Sequence, residues 1–401
     1  MNSLTSFDIS SVASNRRQKI PISINGKFLR PGAGKAGVYR VACELLLAMD
    51  SLLVTRPDLA ERFSCKIIGS GLCPIDFSLK KLRFENTGRI AEFFSDTAWE
   101  QIVLPFAVRG EILVNLCNVG PGLIRNAVTM VHDAQVYESP KSYSLAFRLW
   151  YQLLQPLLGR TNKLILTVSG FSRDQLIKHG VANGSKIQVI HNGCDHVLRV
   201  TPDVSAVRRY GLAGRRYVLA LSNTQRHKNI GILFEAFRSE KLSDVTLVLF
   251  GAATKADFER LGYSVPPNVD FIGRINDSEL CALLKSAVAL AFPSLTEGFG
   301  LPPLEAMALG CPAIVAPCGA VPEVCGKAAI WADANDPDQW FKAIERLLVE
   351  PGHSARVVAE GLAHASRFTW KNSAIQLLEA VSGEFLSVTR LDREQTSGSR
   401  V

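Results

Sequence analysis

The stretch FPSLTEGFGLPPLEAMALGCPAIVAP, residues 292–317, decides the fold and locates the candidate site. It begins at the end of an apolar strand, VALAFPS (288–294), and continues through a Gly-rich loop into a helix that two prolines can start and a glycine can end. Two carboxylates, Glu297 and Glu305, flank the turn of the loop. The pattern therefore predicts a strand, a loop and a helix, with both acids beyond the carboxyl end of the strand.

The chemistry of the two acids favours a sugar-binding role. We expect Glu305 in the first turn of the helix, where the helix dipole stabilises a carboxylate. The free N–H groups of that turn, with those of Gly298, Phe299 and Gly300, are expected to point into a cleft. A carboxylate accepts two hydrogen bonds from a vicinal diol, so Glu305 is predicted to hold a ribose and Glu297 other sugar hydroxyls. The alternative is a helix-capping acid at Glu305 and a surface acid at Glu297, and the Gly-rich loop between them favours the site.

Strand-like runs alternate with helix-period segments along the chain, which predicts parallel sheets covered by helices on both faces. A chain of 401 residues exceeds the size of one hydrophobic core, so two domains are expected. The polar segment 195–212 is predicted to be the linker. The predicted strands are ISING (22–26), CKIIGSG (65–71), EILVNL (111–116), VTMVHD (128–133), KLILTVSG (163–170), KIQVIHNG (186–193), YVLALS (217–222), VTLVLFG (245–251), VDFIGR (269–274), VALAFPS (288–294), AIVAP (313–317) and AAIWAD (328–333). Helices are expected near 37–50, 97–108, 142–158, 171–179, 228–237, 277–287, 303–309, 337–349 and 370–386.

Charge and cysteine content narrow the class of partner. The net charge is +8, and residues 1–40 carry seven Lys or Arg against one acid, Asp8, which suits nucleotide phosphates or an acidic membrane surface. A solvated tail is the alternative for residues 1–18. No basic helix indicates a nucleic-acid partner. Nine cysteines without a C-x-x-C pair indicate reduced thiols rather than zinc or redox chemistry, and the chain shows neither a signal peptide nor a span, so a cytoplasmic location is expected.

The motif EGFGLPPLE resembles the glutamate–seven–glutamate motif of the retaining glycosyltransferases of family 4 (glycosyl transferase group 1). The resemblance extends from NGKFLRPGAGKAGVYRVACELL to RFTWKNSAIQLLEAV. It implies an α/β fold of GT-B type, in which two Rossmann-like, doubly wound parallel-sheet domains face a cleft. The implied divisions are an acceptor-side domain (1–195), a nucleotide-sugar domain (196–370), a helix that packs back on the first domain (371–389) and a disordered tail (390–401).

By the same resemblance, Glu297 binds the donor sugar, Glu305 takes the ribose, and Lys228 in LSNTQRHKNI binds the diphosphate. The arginine that the family carries five residues before this lysine is Asn223 here, and Arg226 is the candidate substitute. A surface lysine is the alternative for Lys228. The backbone after the GRI stretch is where the family holds the base. The donor-binding set is Gly37, Asn223, Arg226, Lys228, Arg274, Ile275, Glu297, Gly298, Phe299, Gly300, Leu301 and Glu305.

The first half carries the acceptor-side candidates. The Gly-rich loop PGAGKAGVYR (31–40) can hold phosphate at a helix N-terminus, and the resemblance points to Gly34, Ala36 and Gly37. His132 follows a predicted strand; a lone His is usually structural, but the resemblance places its ring near the donor sugar. Asn118 is the implied polar contact for the acceptor. The acceptor-side set is thus Gly34, Asn118 and His132, and the catalytic set is His132, Lys228 and Glu297.

The resemblance implies transfer of a hexose from a nucleoside diphosphate sugar with retention of the anomeric configuration and with no metal or other cofactor. GDP-mannose is the preferred donor. The Asp336–Pro337–Asp338 triplet is predicted to cap a helix rather than to bind metal. The aromatic-rich segment 142–160 fits a lipid-linked saccharide acceptor at the inner face of the cytoplasmic membrane, with core packing as the alternative. The implied pathway is surface polysaccharide assembly, as in exopolysaccharide or lipopolysaccharide. The rival functions are a catalytically silent nucleotide-sugar-binding subunit, a sugar-nucleotide epimerase and a phosphorylase.

Overall fold

The computed structural model describes residues 19–30, 37–70, 79–88 and 94–397. Strands and helices alternate through these ranges. The strands are β1 (Ile20–Asn25), β2 (Phe63–Gly69), β3 (Arg83–Asn86), β4 (Ile112–Asn115), β5 (Ala127–Met130), β6 (Leu164–Thr167), β7 (Ile187–Val189), β8 (Arg216–Ser222), β9 (Val245–Gly251), β10 (Val269–Gly273), β11 (Ala289–Phe292), β12 (Ala313–Val315) and β13 (Ile330–Trp331).

The α-helices are α1 (Gly37–Thr55), α2 (Pro57–Arg62), α3 (Asp96–Ala98), α4 (Leu104–Ala107), α5 (Gln135–Glu138), α6 (Leu145–Thr161), α7 (Gly170–Lys178), α8 (Ser205–Arg209), α9 (Gly231–Ala236), α10 (Lys255–Arg260), α11 (Asp277–Ser286), α12 (Leu301–Ala308), α13 (Val321–Cys325), α14 (Pro337–Val349), α15 (Pro351–Ala365) and α16 (Trp370–Ser397). A π-helical turn, Trp99–Val103, joins α3 to α4. Short 3-10 helices lie at Gly26–Leu29, Pro140–Ser142, Gly184–Lys186, Asp195–Arg199, Arg226–Lys228, Glu240–Leu242 and Gly326–Ala328. No helix within the described ranges has the length and apolar composition needed to cross a lipid bilayer.

Two parallel sheets organise the molecule. The first has seven strands in the order β3-β2-β1-β4-β5-β6-β7, and the second has six in the order β10-β9-β8-β11-β12-β13. The strand order changes direction between β1 and β4 in the first sheet and between β8 and β11 in the second. In open parallel sheets ligands bind outside the carboxyl ends of the strands at such points. The loops after β8 and β11 therefore define the expected ligand position in the second sheet.

The central strands are apolar because helices cover both faces of each sheet. All four residues of β4, β5, β6 and β11 are buried. The core against α1 includes Ile22, Ile24, Leu46 and Met49, and the second sheet packs its own core around Phe234, Phe258 and Trp340. The apolar runs of the sequence thus fix the sheets, and the polar residues that end these strands are left at the cleft.

Several elements of the structure were not predicted, among them strand β3 and helices α2, α10, α13 and α15. Strand β3 was not predicted, and its four residues, RFEN, have the exposed, polar pattern of an edge strand. Helix α15 was also not predicted. Pro351 occupies its first position, where the missing N–H of proline costs nothing.

The segment 195–212, predicted to be the linker, lies between the last strand of the first sheet and the first strand of the second, and parts of it are packed. Residues Asp195–Arg199 form a 3-10 helix whose His196 and Val197 are buried, and Ala206 of α8 is fully buried. The segment is held because Asp203 donates its backbone N–H to the carbonyl of Ser278 at 2.9 Å. It is a packed connection between the sheets rather than a flexible one.

Helix α16 leaves the second sheet and packs along α1 of the first. Arg62 donates to the hydroxyl of Ser382 at 2.8 Å, which ties α16 to the end of α2. The predicted end of this helix at residue 389 is wrong, since the helix continues to Ser397, with no Pro in its length and Gly398 directly after it.

The chain crosses between the two sheets twice, and the two crossings are bonded to each other. Cys194 donates its backbone N–H to the carbonyl of Phe368 at 2.9 Å, and Trp370 donates its backbone N–H to Asp195 Oδ1 at 2.8 Å. Ser373 Oγ donates to the carbonyl of His191 at 2.6 Å. The first crossing and the start of α16 therefore form one connected strut.

Candidate functional site

An ion pair lies at the point where the second sheet changes direction. Lys228, from the loop after β8, and Glu297, from the loop after β11, are joined by a 2.7 Å contact between Nζ and Oε1. Their side chains are 17% and 12% exposed. A pair this well shielded from water is only weakly screened by salt. The structure thus brings together two residues of the predicted catalytic set.

The loop after β11 presents unpaired backbone donors. Within the described ranges, the N–H groups of Gly298, Phe299 and Gly300 donate no hydrogen bond. Gly300 caps α12 with φ at 102°, a left-handed conformation that favours glycine, and turns the chain into the helix. The N-terminus of α12 and this loop together form a positively polarised surface suited to an anion.

The expectation that Glu305 lies in the first turn of its helix is wrong. Because Gly300 ends the loop, the helix already begins at Leu301, and Glu305 is its fifth residue. Its side chain is 10% exposed and contacts His196 Nε2 through Oε1 at 3.1 Å. Glu305 is therefore a buried, partnered carboxylate beside the loop rather than a capping acid.

Gly298 is the contact between this loop and the first domain. Its carbonyl accepts hydrogen bonds from Ser169 Oγ at 2.7 Å and from Ser172 Oγ at 3.0 Å. A Cβ at Gly298 would lie 2.7 Å from the carbonyl oxygen of His132 and 2.8 Å from Asp133 Cβ. The two domains thus touch at this glycine, and the groups after β5, β6 and β11 form one site.

Ser169 is the N-cap of helix α7. Its hydroxyl accepts from the N–H of Ser172 at 3.0 Å, and the helix begins at Gly170. The hydroxyl of Ser172 is thereby left to bond Gly298 and the carbonyl of His132.

His132 is held by two contacts at the end of β5. Its Nε2 lies 2.8 Å from the carbonyl of Leu116 and must donate, because a carbonyl only accepts. Its backbone N–H donates to Asn118 Oδ1 at 2.8 Å, and Asn118 has φ at 65°. Burial lowers the pKa of His132 to about 4, with the Leu116 contact acting in the opposite direction. The ring is therefore neutral at physiological pH, and Nδ1 makes no hydrogen bond to a described residue.

The depressed pKa of His132 predicts a pH-dependent stability. The unfolded ring binds its proton near pH 6.5 and the folded ring only near 4, so this contribution is present above about 6.5 and is lost as pH falls toward 4. We expect the free energy of unfolding to drop about 2 kcal/mol more between about pH 7 and pH 5 in the wild type than in a His132→Gln variant. Urea titrations at both pH values measure the difference. Equal pH dependence in the two proteins would contradict a buried, neutral His132.

Asp133 adds a third charge to the ion pair. Burial raises its pKa, and Glu297 raises it further while Lys228 lowers it. Its Oδ1 accepts the backbone N–H of Gln135 at 2.9 Å, which orients the carboxylate. Lys228 is thus paired with Glu297 and also favours the ionised form of Asp133.

The other predicted donor residues follow strands of the second sheet, except Gly37, which belongs to the first domain. Asn223 accepts the N–H of Gln225 at 2.8 Å, and the side chain of the exposed Arg226 makes no hydrogen bond or ion pair to a described residue. Arg274 is exposed after β10, and Ile275 packs against the cluster around Leu212. Gly37 begins α1, and Leu301 begins α12. Gly34 and Ala36 lie outside the described residues.

Glu323 bridges the domains in a way that the sequence did not indicate. Its two carboxylate oxygens accept the N–H groups of Gly170 and Phe171, at 2.8 and 3.1 Å, so that the second domain caps helix α7 of the first. His191 Nε2 lies 2.9 Å from the same carboxylate. Burial opposes its ionisation, but these hydrogen bonds prevail and lower the pKa of Glu323.

A Glu323→Gln substitution is expected to weaken this bridge. One carboxylate oxygen becomes an NH2 group that faces a backbone donor, and we expect about 1 kcal/mol less stability at neutral pH. Because the pKa of the folded carboxylate lies below its usual value of 4.5, the difference should shrink as pH falls below that value. Thermal melts against pH test this, with Glu240→Gln, an exposed acid with no described side-chain partner, as the control. The same melting change in both variants would contradict a bridging role.

Further contacts that the sequence did not reveal join the domains near α1. Arg40 pairs with both oxygens of Asp277 at 2.9 and 2.6 Å. Arg199 pairs with Glu44 one turn along the helix. These partners are more than 150 positions apart in sequence, so only the fold brings them together.

The Asp336–Pro337–Asp338 triplet is a helix cap, as predicted. Asp336 accepts the N–H of Asp338 at 3.0 Å at the start of α14. Within the part of the chain that the structure describes, no three His, Cys, Asp or Glu side chains are grouped as metal ligands would be.

Comparison with known proteins identifies the family. Residues 208–363 match the family described as glycosyl transferases group 1. Over 273 residues the chain is 31% identical to the O-antigen chain mannosyltransferase B of Escherichia coli, a match that covers 65% of this chain and 71% of that one. It belongs to the glycosyl transferases of group 1. The matched region spans β8 to α15 and therefore contains Lys228, Glu297 and Glu305 of the site.

One further relative and two solved structures are similar to this group 1 glycosyltransferase. It is 26% identical over 234 residues to the O-antigen chain mannosyltransferase RfbU of Salmonella typhimurium, covering 56% of this chain and 62% of that one. The sucrose-phosphate synthase of Thermosynechococcus elongatus superposes with a TM-score of 0.68 over 92% of this chain and 100% of that one, at 18% identity. The Anabaena protein HepE in complex with UDP-glucose does so with a TM-score of 0.65 over 91% and 100%, at 20% identity. The fold is GT-B, as the sequence predicted.

Proposed function

We propose that this glycosyltransferase moves a hexose from a nucleoside diphosphate sugar to a saccharide or lipid-linked saccharide, with retention of the anomeric configuration, as in family 4. The observation that carries the proposal is the Lys228–Glu297 pair beside the unpaired N–H groups of the loop after β11. A cation and oriented backbone donors are what a departing diphosphate requires. A carboxylate next to them suits the hydroxyls of the sugar that is transferred.

The leaving group is the centre of the mechanism. As the bond between the anomeric carbon and the diphosphate lengthens, Lys228 and the N-terminus of α12 stabilise the negative charge that develops on the phosphate oxygens. Arg226, whose exposed side chain is free of described partners, supports a second contact where the family arginine is replaced by Asn223. Binding of the diphosphate then frees Glu297 from Lys228 to accept sugar hydroxyls.

Retention is proposed to arise without a covalent sugar on the enzyme. The departing phosphate oxygen takes the proton of the acceptor hydroxyl on the face of the sugar from which it leaves, so the new bond forms on the same face. Neutral His132 and Glu297 position the sugar ring rather than attack it. Because Lys228 and the backbone donors supply the positive charge, we propose that no metal is required. A transfer assay with and without EDTA, with the anomer of the product assigned by NMR, tests both statements.

GDP-mannose is the proposed donor. Support comes from the two relatives described above, whose names identify them as O-antigen chain mannosyltransferases. The HepE structure was solved with UDP-glucose, so UDP-sugars are the competing class. The proposed cellular role is the assembly of a surface polysaccharide such as the O-antigen of lipopolysaccharide, at the cytoplasmic face of the membrane.

Helix α6 supports a membrane-associated acceptor. Leu145, Leu149 and Leu153 recur every fourth residue along one face and are 62%, 54% and 69% exposed. Gly122 packs against the buried side of α6, which brings the 85% exposed Leu123 beside the same helix. An exposed apolar row of this kind suits shallow insertion into a lipid surface.

Vesicle sedimentation tests the membrane contact. We expect the wild type to bind vesicles of phosphatidylcholine and phosphatidylglycerol, and a variant with Leu145, Leu149 and Leu153 changed to Asp to remain in the supernatant. Equal sedimentation of both proteins would contradict the proposed membrane contact, but it would not bear on the proposed donor reaction.

A metal-free thermal-shift panel with UDP, GDP, ADP and their common sugars is the first test of the donor. A ligand at about 100 times its dissociation constant adds roughly 2.7 kcal/mol of stability, which raises the melting temperature measurably. A rise in melting temperature with GDP and GDP-mannose alone supports the proposal. A rise with UDP compounds alone would mean that the donor is a UDP-sugar rather than GDP-mannose. A folded protein that responds to none of them would contradict nucleotide-sugar binding, whereas a shift without any turnover would favour the silent subunit. Net transfer to an acceptor then separates a transferase from an epimerase or phosphorylase.

A further inference from the structure

A buried chain of hydrogen bonds leads from the strut between the domains to Glu305. Trp370 Nε1 lies 3.1 Å from His196 Nδ1, and His196 Nε2 lies 3.1 Å from Glu305 Oε1. Trp370 and His196 are 1% and 4% exposed. The three residues come from the start of α16, from the first crossing and from α12, so that the chain joins three separate segments at one point.

The chemistry of the three groups fixes which atom donates and which accepts in each of these hydrogen bonds. An indole N–H only donates, so His196 Nδ1 must accept from Trp370. The imidazole proton therefore resides on Nε2 and is donated to the Glu305 carboxylate. Neutral histidine satisfies both contacts at once, and the reversed tautomer would place two donors against each other at Trp370.

Glu305 is held by one oxygen only. Its Oε2 has no hydrogen bond or ion pair to a described residue, while Oε1 accepts from His196. The other ionisable groups near Glu305 include the thiols of Cys194 and Cys281 and the guanidinium of Arg40. Arg40 already forms an ion pair with Asp277. The carboxylate is thus fixed in orientation with an oxygen left for a ligand.

We infer that His196 is a positioning residue, which holds Glu305 in the orientation that accepts the donor's ribose hydroxyls, and that Trp370 sets the tautomer that allows it. This inference rests on the proposed function, in which Glu305 binds the ribose. A glutamate carboxylate, whose flexible side chain has three rotatable bonds, loses rotamer freedom when it binds a diol, and a fixed partner removes that cost beforehand. The same bond links ribose recognition to the segment where the two domains are joined.

The test measures recognition of the ribose hydroxyls directly. Dissociation constants of GDP and of 2′,3′-dideoxy-GDP are determined by calorimetry for the wild type and for His196→Phe, and the UDP pair is used if the wild type binds UDP instead. We expect the wild type to prefer the ribonucleotide about 10-fold or more, as hydrogen bonds to a charged group imply. His196→Phe should reduce this preference to about 3-fold or less while binding the dideoxy nucleotide as the wild type does.

The outcomes separate the inference from the function beneath it. A wild type that binds both nucleotides equally would overturn the ribose role of Glu305 and the inference with it. A wild-type preference that His196→Phe retains in full overturns the inference alone. If His196→Phe does not fold, the variants Trp370→Phe and His196→Gln test the inference in its place. Trp370→Phe removes the indole donor together with part of the ring volume and should lower the preference about 2- to 5-fold, whereas His196→Gln, which can accept and donate, should retain most of it.

Discussion

A Lys228→Ala enzyme is expected to lose about 10²- to 10³-fold in kcat while remaining folded. Lys228 Nζ is the cation placed 2.7 Å from Glu297 at the direction change of the second sheet, beside the unpaired backbone donors. Its removal takes positive charge from the place where the diphosphate leaves. It also leaves Glu297 and Asp133 without a shared counter-ion, so the pKa of Asp133 should rise further. Steady-state transfer with the donor identified by the thermal-shift panel measures the loss.

The control for this prediction is Lys255→Ala. Lys255 lies in the same domain on α10, with its side chain 58% exposed, and its only described ion pair is a surface contact with Glu259. Such pairs contribute little to stability, and activity should stay within about twofold of the wild type. A Lys228→Ala enzyme with normal kcat would show that the diphosphate is stabilised elsewhere, and Arg226 would then be the residue to test.

Gly298→Ala should cost activity through the domain contact rather than through the chemistry. A Cβ at this position would lie 2.7 Å from the carbonyl oxygen of His132 and 2.8 Å from Asp133 Cβ, both of which belong to the other domain. Overpacking of this kind costs about 1–3 kcal/mol, so the closed arrangement should be disfavoured roughly 5- to 150-fold and kcat/KM should fall in proportion. Small-angle scattering should show a larger radius of gyration for the variant.

Gly352→Ala is the matched control. This glycine lies in α15, and a Cβ there would meet no atom within 4 Å. The substitution should leave activity unchanged and stabilise the helix by up to about 1 kcal/mol. Unchanged kcat/KM and scattering for Gly298→Ala would mean that the two domains do not close on this glycine during turnover.

The sequence predicted the strand ends because each one is a local pattern. Lys228, His132 and Glu297 each follow an apolar run, and the rule that ligands bind beyond the carboxyl ends of parallel strands placed them at one cleft. The helix capped by Asp336 was predictable for the same reason, since the cap and its N–H donor are two residues apart. The family resemblance then supplied roles that geometry alone would have left open.

The contacts that the sequence did not predict join residues that are far apart along the chain. Glu323 caps a helix that begins 153 positions earlier, and His196 meets a tryptophan 174 positions later. No periodicity or spacing in the sequence connects such pairs, because they form only when two domains are docked. Helix α15 was not predicted for a local reason, because Pro351 and Gly352 are as typical of a loop as of the start of a helix.

The two bonded crossings also limit how the molecule can move. At their contact a Cβ on Gly193 would lie 2.2 Å from the backbone nitrogen of Trp370, so the two passing segments touch main chain to main chain. Because the two crossings are bonded to each other at one place, they resist sliding and separation of the two domains. The domains can still rotate about this place. We therefore expect the donor-bearing half and the half that carries His132 to move relative to each other mainly by rotation about residues 193–195 and 368–370.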